Sequence, residues 1–534
     1  MADWVALWKE VSGGFRAMDL AVAMSALFLF SCVAHRATQK GPMHWPVLGI
    51  LPTLFLHLRD VYNWTTVALL HAGGTFRYHG MWLGGAHGVV TADPANVEYI
   101  LRTRFANFPK GKYYRERFMD LLGDGIFNAD DGVWREQRRA AASEMHSIRF
   151  GSYSAQSISS LVHGKLLRLL SCLAATGEAV DIQDVFLRFT FDNICMAAFG
   201  IDPGCLAVDL PEVGFARAFE RATELTLFRF IVPPFVWKLM RRLDVGPERE
   251  LKEAVRVVHE FAKKTVSHRR AEFVSSGDLR GRSDLLSRLV EAEEEPAAPV
   301  TGEKFRFSDK FIKDFCISFI LAGRDTSSVA LAWFFWLIHD RPDVESRILD
   351  EIRSIIGQRE EKQEKHADLV FEVEELGRMD YLQAALSEAL RLYPSVPLDF
   401  KEAVEDDVLP DGCPVRRGAR VIYSIYSMAR AEALWGKDCC EYRPERWISK
   451  ERGRFAGENQ FKYPVFNAGP RLCVGKKFAY LQMKMVAAAV LLRYRVRVVE
   501  GQVVEPKLTT TLYMKNGLLV TFQPRERNPS DVGC

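Results

Sequence analysis

The run from Phe307 to Asp340, FSDKFIKDFCISFILAGRDTSSVALAWFFWLIHD, constrains the fold of this chain more than any other stretch. Phe311, Phe315, Phe319, Ala322, Thr326, Ala330 and Trp333 recur at helical spacing. Ser308 or Asp309 stands where a helix N-cap is expected. After Phe315 the segment is apolar almost all round, so the helix must pass through the middle of the protein, covered on every side. A chain of 534 residues, 48% hydrophobic and 26% charged, is long enough and balanced enough to build that cover.

The remainder reads as mainly helical with small β-sheets, an α+β class. Strand-like runs occur at Thr75 to Ala92, in RVIYSIYSM from Arg420, and in LTTTLYMKNGLLVTFQP from Leu508. The last holds Asn516-Gly517 between two such runs, a hairpin signal. Val290 to Lys304, acidic and broken by proline, and Gly357 to Asp368, a charge run, read as solvated connectors. No boundary interrupts residues 53–534, which read as one catalytic domain.

The N-terminal stretch AMDLAVAMSALFLFSCVA, Ala17 to Ala34, is apolar apart from Asp19. As a helix it rises about 27 Å, close to the thickness of a bilayer core. His35, Arg36 and Lys40 follow at once and favour a cytoplasmic C-terminal side. Residues 1–40 therefore read as a membrane anchor. Residues 41–52, with Pro42, Pro46 and Pro52, read as a stiff hinge. The stretch VLGILPTLFLHL from Val47 is expected to rest on the lipid surface.

A formal net charge of +3 gives no global argument for nucleic acid. The ten cysteines are scattered, with no CxxC pair or Cys/His cluster, which argues against a zinc ribbon or an iron–sulfur site. Nor do they form a disulfide framework, which suits a reducing compartment.

One cysteine stands apart. Cys473 lies in FNAGPRLCVGKKF, Phe466 to Phe478, on a basic, turn-rich stretch. A thiolate that binds metal needs backbone N–H groups, a helix start and cations nearby. Residues from Lys476 to Leu492 look helical, which puts Cys473 just before a helix. The pattern Phe-x-x-Gly-x-Arg-x-Cys-x-Gly is matched by Phe466, Gly469, Arg471, Cys473 and Gly475. It resembles the thiolate-ligand signature of the haem-thiolate monooxygenases, the cytochromes P450. The resemblance implies that family's fold, with haem b (iron protoporphyrin IX) between the long central helix and this loop. Cys473 would be the axial ligand of the iron. Phe466 would shield the thiolate, and Gly469 and Gly475 would shape the loop.

Independent stretches carry the same resemblance. In SEALRLYP, Glu388 and Arg391 share a helix face, and YRPERW adds Arg446. The family uses such a trio structurally, to lock the region of the ligand loop. In AGRDTS, Gly323 weakens its helix by about 1 kcal/mol. Asp325 and Thr326 bring polar groups into an apolar setting. Alone, Thr326 would bond back to its own helix. The resemblance implies instead that the helix is loosened near Gly323. Thr326 would then hydrogen-bond dioxygen, and Asp325 would relay protons. Trp134 and Arg138, four apart on one helix, match a family pair that meets a haem propionate, and Arg471 is a further partner of that kind.

Longer phrases, among them LLGDGIFNADDGVWREQRR, RFTFDNICMAAFGIDPGCL and ALRLYPSVPLDFKEAVEDDVLPDG, resemble the plant ω-hydroxylases of long- and very-long-chain fatty acids in cutin and suberin synthesis. This implies a membrane enzyme of the endoplasmic reticulum with a cytosolic catalytic domain. No flavin or nicotinamide fingerprint is present, so electrons must come from elsewhere; the resemblance implies NADPH-cytochrome P450 reductase. Arg135, Arg138, Arg139, Arg471, Lys476, Lys477 and Lys484 are expected to form the basic patch that receives it. The cluster Lys110, Lys112, Arg115 and Arg117 is expected near the substrate mouth, one member holding the fatty carboxylate. Val329 or Leu398 would hold the chain end in place. Three alternatives remain at this point: another lipid substrate, a haem-thiolate isomerase or dehydratase, and a non-catalytic membrane haem-binding protein. Isomerase-type relatives lose the oxygen-step threonine and distort the cysteine loop, and both features are intact here.

Overall fold

The computed structural model describes residues 17–38, 41–80, 87–279, 281–292, 307–359 and 369–525. The two expected connectors lie mostly outside the described residues.

Helix α1, Ala17–Thr38, holds its apolar side chains in the open, with Leu27 68% and Phe30 72% exposed. The expected hinge is not a free strut. Trp45 Nε1 donates to Thr53 Oγ1 at 3.0 Å, the Thr53 hydroxyl donates to Met43 O at 3.0 Å, and Ile50 N donates to His79 O at 2.8 Å. The strand-like run from Thr75 to Ala92 forms two antiparallel strands, β1 (Thr75–His79) and β2 (His87–Thr91).

The helices that surround the site follow in order: α2, Gly111–Leu122; α3, Asp131–Met145; α4, Ile182–Phe199, after the short strand β3, Val180–Asp181; α5, Gly214–Ile231; α6, Pro234–Leu243; α7, Gly246–Ser276; α8, Asp309–His339; and α9, Asp380–Leu392. Next come β4, Leu398–Glu402; the small pair β5, Asp407–Val408, and β6, Pro414–Val415; and β7, Arg420–Ser424. The chain closes with α10, Lys476–Arg493; β8, Tyr494–Val498; and β9, Leu519–Pro524.

Helix α8 is the central helix that the apolar run demands. The Ser308 hydroxyl caps it, accepting from Phe311 N at 3.2 Å. From Asp314 to Phe335 every residue is buried except Leu321, Ala322, Gly323 and Thr326. Helices α4, α9 and α10 pack around it, and the apolar core runs continuously through all four. The main sheet has the order β1-β2-β7-β4, with β7 parallel to β2 and antiparallel to β4.

Three expectations change. RVIYSIYSM is a strand only to Ser424. Its Oγ then accepts from Ser427 N at 3.2 Å and starts a short helix, Ile425–Met428. The Asn516-Gly517 turn exists, with Gly517 at φ +69°, but it does not join two paired strands. Leu519–Pro524 instead pairs with β8 and β3, because Asp181 Oδ1 accepts from Leu518 N at 2.9 Å and draws the chain to β3. Helix α8 is also unbroken at Gly323. The missing side chain makes room for α4, since a Cβ there would lie 2.5 Å from Ile194 Cγ1.

Candidate active site

The loop before α10 holds Cys473. Cys473 N donates to Phe466 O at 2.8 Å, which closes the loop on itself. Gly469 has φ +61°, and a Cβ there would stand 2.3 Å from Leu101 O, so only glycine fits. Gly475 is different: its φ is −84°, and its contribution is an N–H directed at the thiol. Cys473 is exposed by surface area yet sits deep in the protein, so the surface it presents faces an internal space. Burial pushes the thiol up, opposed by the Gly475 N–H, Arg138 and Lys476. The Phe466 ring packs on Tyr480, centroids 5.3 Å apart.

Glu388, fully buried on α9, accepts from Arg391 Nε at 2.8 Å and Nη2 at 2.9 Å. Arg446 Nε donates to it at 3.1 Å and Trp447 Nε1 at 2.9 Å. The trio thus forms as the sequence suggested, with Trp447 as an unforeseen fourth member. It reaches the cysteine loop through Ser387: its carbonyl accepts from Tyr463 OH at 3.0 Å, and its hydroxyl meets Tyr480 OH at 2.8 Å.

On the other side of the loop, Arg471 lies 4.6 Å over the Trp134 ring. Its Nη2 donates to Asp130 Oδ1 at 2.7 Å and to Ala129 O at 3.1 Å, while its buried Nε has no partner. Arg138 lies near Cys473 and Arg471. A second buried group, missed in the sequence, adjoins them. Asp399 accepts from Lys110 Nζ at 2.7 Å, Lys401 Nζ at 2.7 Å and Tyr423 OH at 2.6 Å. Asn467, at φ +61° in the cysteine loop, donates to the same carboxylate at 3.3 Å. Burial pushes the Asp399 carboxyl up, but Lys110 and Lys401 more than offset it and hold it well below the usual range. Burial, with Lys110 and Arg471 close by, pulls the Lys401 ammonium down to about 7 despite Asp399.

These charges test the haem reading. Lys110, Arg138 and Arg471 bring three cations, with Lys401 held near the point of losing its proton, against two carboxylates, Asp130 and Asp399. One positive charge remains without a counter-charge, and Lys401 would add a second on taking up its proton, in a setting where unpaired charge is costly. A haem presents two propionates, and the orphaned Nε of Arg471 is a donor of the right kind. The residues fit the group.

Ala322 and Thr326 share the open face that α8 keeps between Asp314 and Phe335. Thr326 Oγ1 donates to Ala322 O at 2.7 Å, the back-bond that the residue type favours. Asp325, 1% exposed, accepts from Arg324 Nη1 at 2.9 Å, and Arg324 Nη2 donates to the half-exposed Glu220 at 3.1 Å. A cavity of about 400 Å³ runs along this chain, lined by Glu220, Arg324, Asp325, Tyr513 and Lys507.

The four basic residues expected at the substrate mouth do not converge. Lys110 is committed to Asp399. Arg115 pairs with Asp124 at 3.3 Å, Lys112 is exposed, and buried Arg117 donates to the carbonyls of Arg229 and Tyr113, both at 2.8 Å. Their helical spacing sends them in different directions around α2. The expected basic patch also shrinks. Lys484 is buried and donates to Leu376 O at 2.8 Å, and Arg471 points inward. Arg135, Arg139, Lys476 and Lys477 stay exposed, with Arg138 half-buried. Val329 is fully buried in the core, and Leu398 is half-buried at the start of β4.

Known proteins resemble this chain in sequence. The chain is 49% identical over 523 residues to cytochrome P450 86B1 of Arabidopsis thaliana, covering 97% of this chain and 92% of that protein. It is 40% identical over 496 residues to cytochrome P450 94A2 of Vicia sativa, 91% of each chain. It is 33% identical over 529 residues to noroxomaritidine synthase 1 of Narcissus pseudonarcissus, 98% of this chain and 99% of that protein. The cytochrome P450 family profile matches residues 40–522, and the chain belongs to the cytochrome P450 family.

Proposed function

We propose that this cytochrome P450 hydroxylates the terminal carbon of long- or very-long-chain fatty acids, of the kind used in cutin and suberin. Haem b supplies oxygen activation when bound. Cys473 would hold its iron. Trp134, Arg138, Arg471, Lys110 and Lys401 would hold its propionates, with Asp130 and Asp399 setting the positions of the cations. Glu388, Arg391 and Arg446 keep the ligand loop in place. Asp325, at the wall of the cavity that leads to Glu220, moves protons toward Thr326, whose hydroxyl delivers them at the open face of α8. The observation that carries this reading is that open face: from Asp314 to Phe335 a helix otherwise buried on all sides uncovers only Leu321, Ala322, Gly323 and Thr326, while the Cys473 thiol faces an internal space.

NADPH-cytochrome P450 reductase would dock on Arg135, Arg139, Lys476 and Lys477. Helix α1 would anchor residues 1–40 in the endoplasmic reticulum membrane, with 53–534 as a cytosolic catalytic domain. Exposed Val47, Phe55 and Leu56, and Phe235, Leu239 and Leu243 of α6, support a lipid-facing side. Turnover in microsomes with reductase, NADPH and acids from medium to very long chain tests the reading. Terminal alcohols are expected. Products only at internal carbons, or none from fatty acids, overturn it. A carbon monoxide difference spectrum of Cys473→Ala, expected to lose the thiolate band, tests the ligand.

A further inference from the structure

Tyr113, Tyr114, Phe118, Phe230 and Phe400 form one aromatic cluster between α2, α5 and β4, with neighbouring ring centroids 4.7 to 6.2 Å apart. Phe118 belongs to the same buried cluster as Phe315 and Phe319 of α8. The aromatic cluster therefore runs from Tyr113 inward to the apolar core that packs on the central helix.

At the outer end, the guanidinium carbons of Arg117 and Arg420 each lie 3.4 Å from the Tyr113 ring centroid. That is van der Waals contact directly over the ring. Two groups at that distance cannot share a face, so they sandwich the ring and lie twice that distance apart. Neither has a carboxylate within 4.0 Å among the described residues. Arg117 is 1% exposed and satisfied only by carbonyls, and burial, followed by the opposed effects of Tyr113 and Arg420, leaves it pulled down to about 10. Arg420 is half-buried on β7. The carboxylate of its cross-strand neighbour Glu402 is taken by the backbone, Oε2 accepting from Tyr113 N at 2.9 Å. Nearby Arg229 is fully occupied by Glu248 and Asp120, at 2.6 and 2.7 Å. Two like charges thus flank one ring at the outer end of the aromatic cluster, neither in direct contact with a carboxylate among the described residues.

We propose that Arg420, supported by Arg117 across the Tyr113 ring, seats the carboxylate of the substrate. A guanidinium accepts a carboxylate through two parallel hydrogen bonds. The alkyl chain then follows the aromatic cluster toward α8. This assignment rests on the fatty-acid reading above and moves the anchor from the cluster at Lys110 to β7.

Equilibrium binding to the haem-loaded full chain, read from the substrate-induced change in haem absorbance, tests it with hexadecanoic acid and its methyl ester. The wild type is expected to bind the acid about tenfold more tightly than the ester, a difference of about 1.4 kcal/mol. Arg420→Gln should abolish the preference by weakening the acid about tenfold and leaving the ester unchanged, and Arg420→Lys should restore part of it. Acid binding unaltered in Arg420→Gln, or acid and ester weakened alike, overturns the seat. Equal binding of acid and ester by the wild type, with both hydroxylated at the terminal carbon, overturns the seat while the fatty-acid reading stands. No binding of either ligand by the wild type overturns that reading and the seat together.

Discussion

Gly323 of α8 meets Ile194 of α4 so closely that no side chain fits between them: a Cβ would stand 2.5 Å from Ile194 Cγ1 and 2.6 Å from Cδ1. Alanine would favour the helix by about 1 kcal/mol, but overpacking against a stiff β-branched neighbour costs about 1–3 kcal/mol. Gly323→Ala is expected to lower the thermal unfolding midpoint. The double variant with Ile194→Ala should recover part of that loss.

Glu388 is the counter-charge of a guanidinium that is 1% exposed. Glu388→Gln leaves Arg391 buried and unpaired, at a cost of about 3–5 kcal/mol. We expect little folded, haem-loaded protein, measured as carbon monoxide difference absorbance per mole of chain. Arg446→Ala should be milder, because the Arg446 side chain is 13% exposed and can be replaced by water.

Lys484 carries a testable pH signature. Burial pulls its ammonium from 10.5 down to about 8, against the attraction of Glu351. Between those values the unfolded chain keeps a proton that the folded chain has released. Stability contributed by this group therefore rises with pH from about 8 to 10.5, and its penalty is complete below that window. Lys484→Met should stabilise the protein by about 3 kcal/mol at pH 7, with the gain shrinking as pH climbs. Chemical denaturation of both proteins across that range gives the difference. A gain independent of pH would reject the assignment.

Arg135, Arg139, Lys476 and Lys477 remain exposed around the cysteine loop. If they receive an acidic reductase, the rate of electron transfer falls steeply with ionic strength. Glutamine at all four should slow the reaction at low salt and flatten its salt dependence. Stopped-flow reduction of the haem reads both effects.

Asp325→Asn keeps the shape of the cavity wall but removes a proton carrier. Losses of about a hundredfold are typical when a proton relay fails. Product should fall by that order while oxygen consumption continues, with hydrogen peroxide released in its place. The ratio of peroxide to product measures the effect.

The sequence made the central helix plain, because a long segment apolar on all sides has only one place to go. The cysteine loop and the Glu388 trio were also legible, since each is a local pattern. What was hidden depends on chain pairing over long distances. Asp399 and Lys401 are ordinary charged residues in LDFKEA, and only the pairing of β4 with β7, and the approach of Lys110 almost three hundred positions away, makes them a buried network. The basic run PKGKYYRER was read as one surface because its residues are adjacent in sequence; a helix turns adjacent residues to different sides. The hairpin signal at Asn516-Gly517 named a real turn, but local chemistry does not state which strand its arms will find.

Strand β7 alternates. Arg420 and Ile422 share one face with Phe400 and Glu402, while Val421 and Tyr423 share the other with Asp399 and Lys401. One face meets the aromatic cluster at Tyr113 and Phe400, along which the proposed substrate chain would run, and the other meets the buried charge network. A one-residue insertion in this strand would exchange them, placing a tyrosine at the aromatic cluster and an arginine among the propionate partners. Diversification of substrate along this edge is therefore restricted to side-chain exchange at alternate positions. Length changes here would forfeit the cofactor along with the old substrate, so enzymes that share this strand should vary in its letters and never in their number.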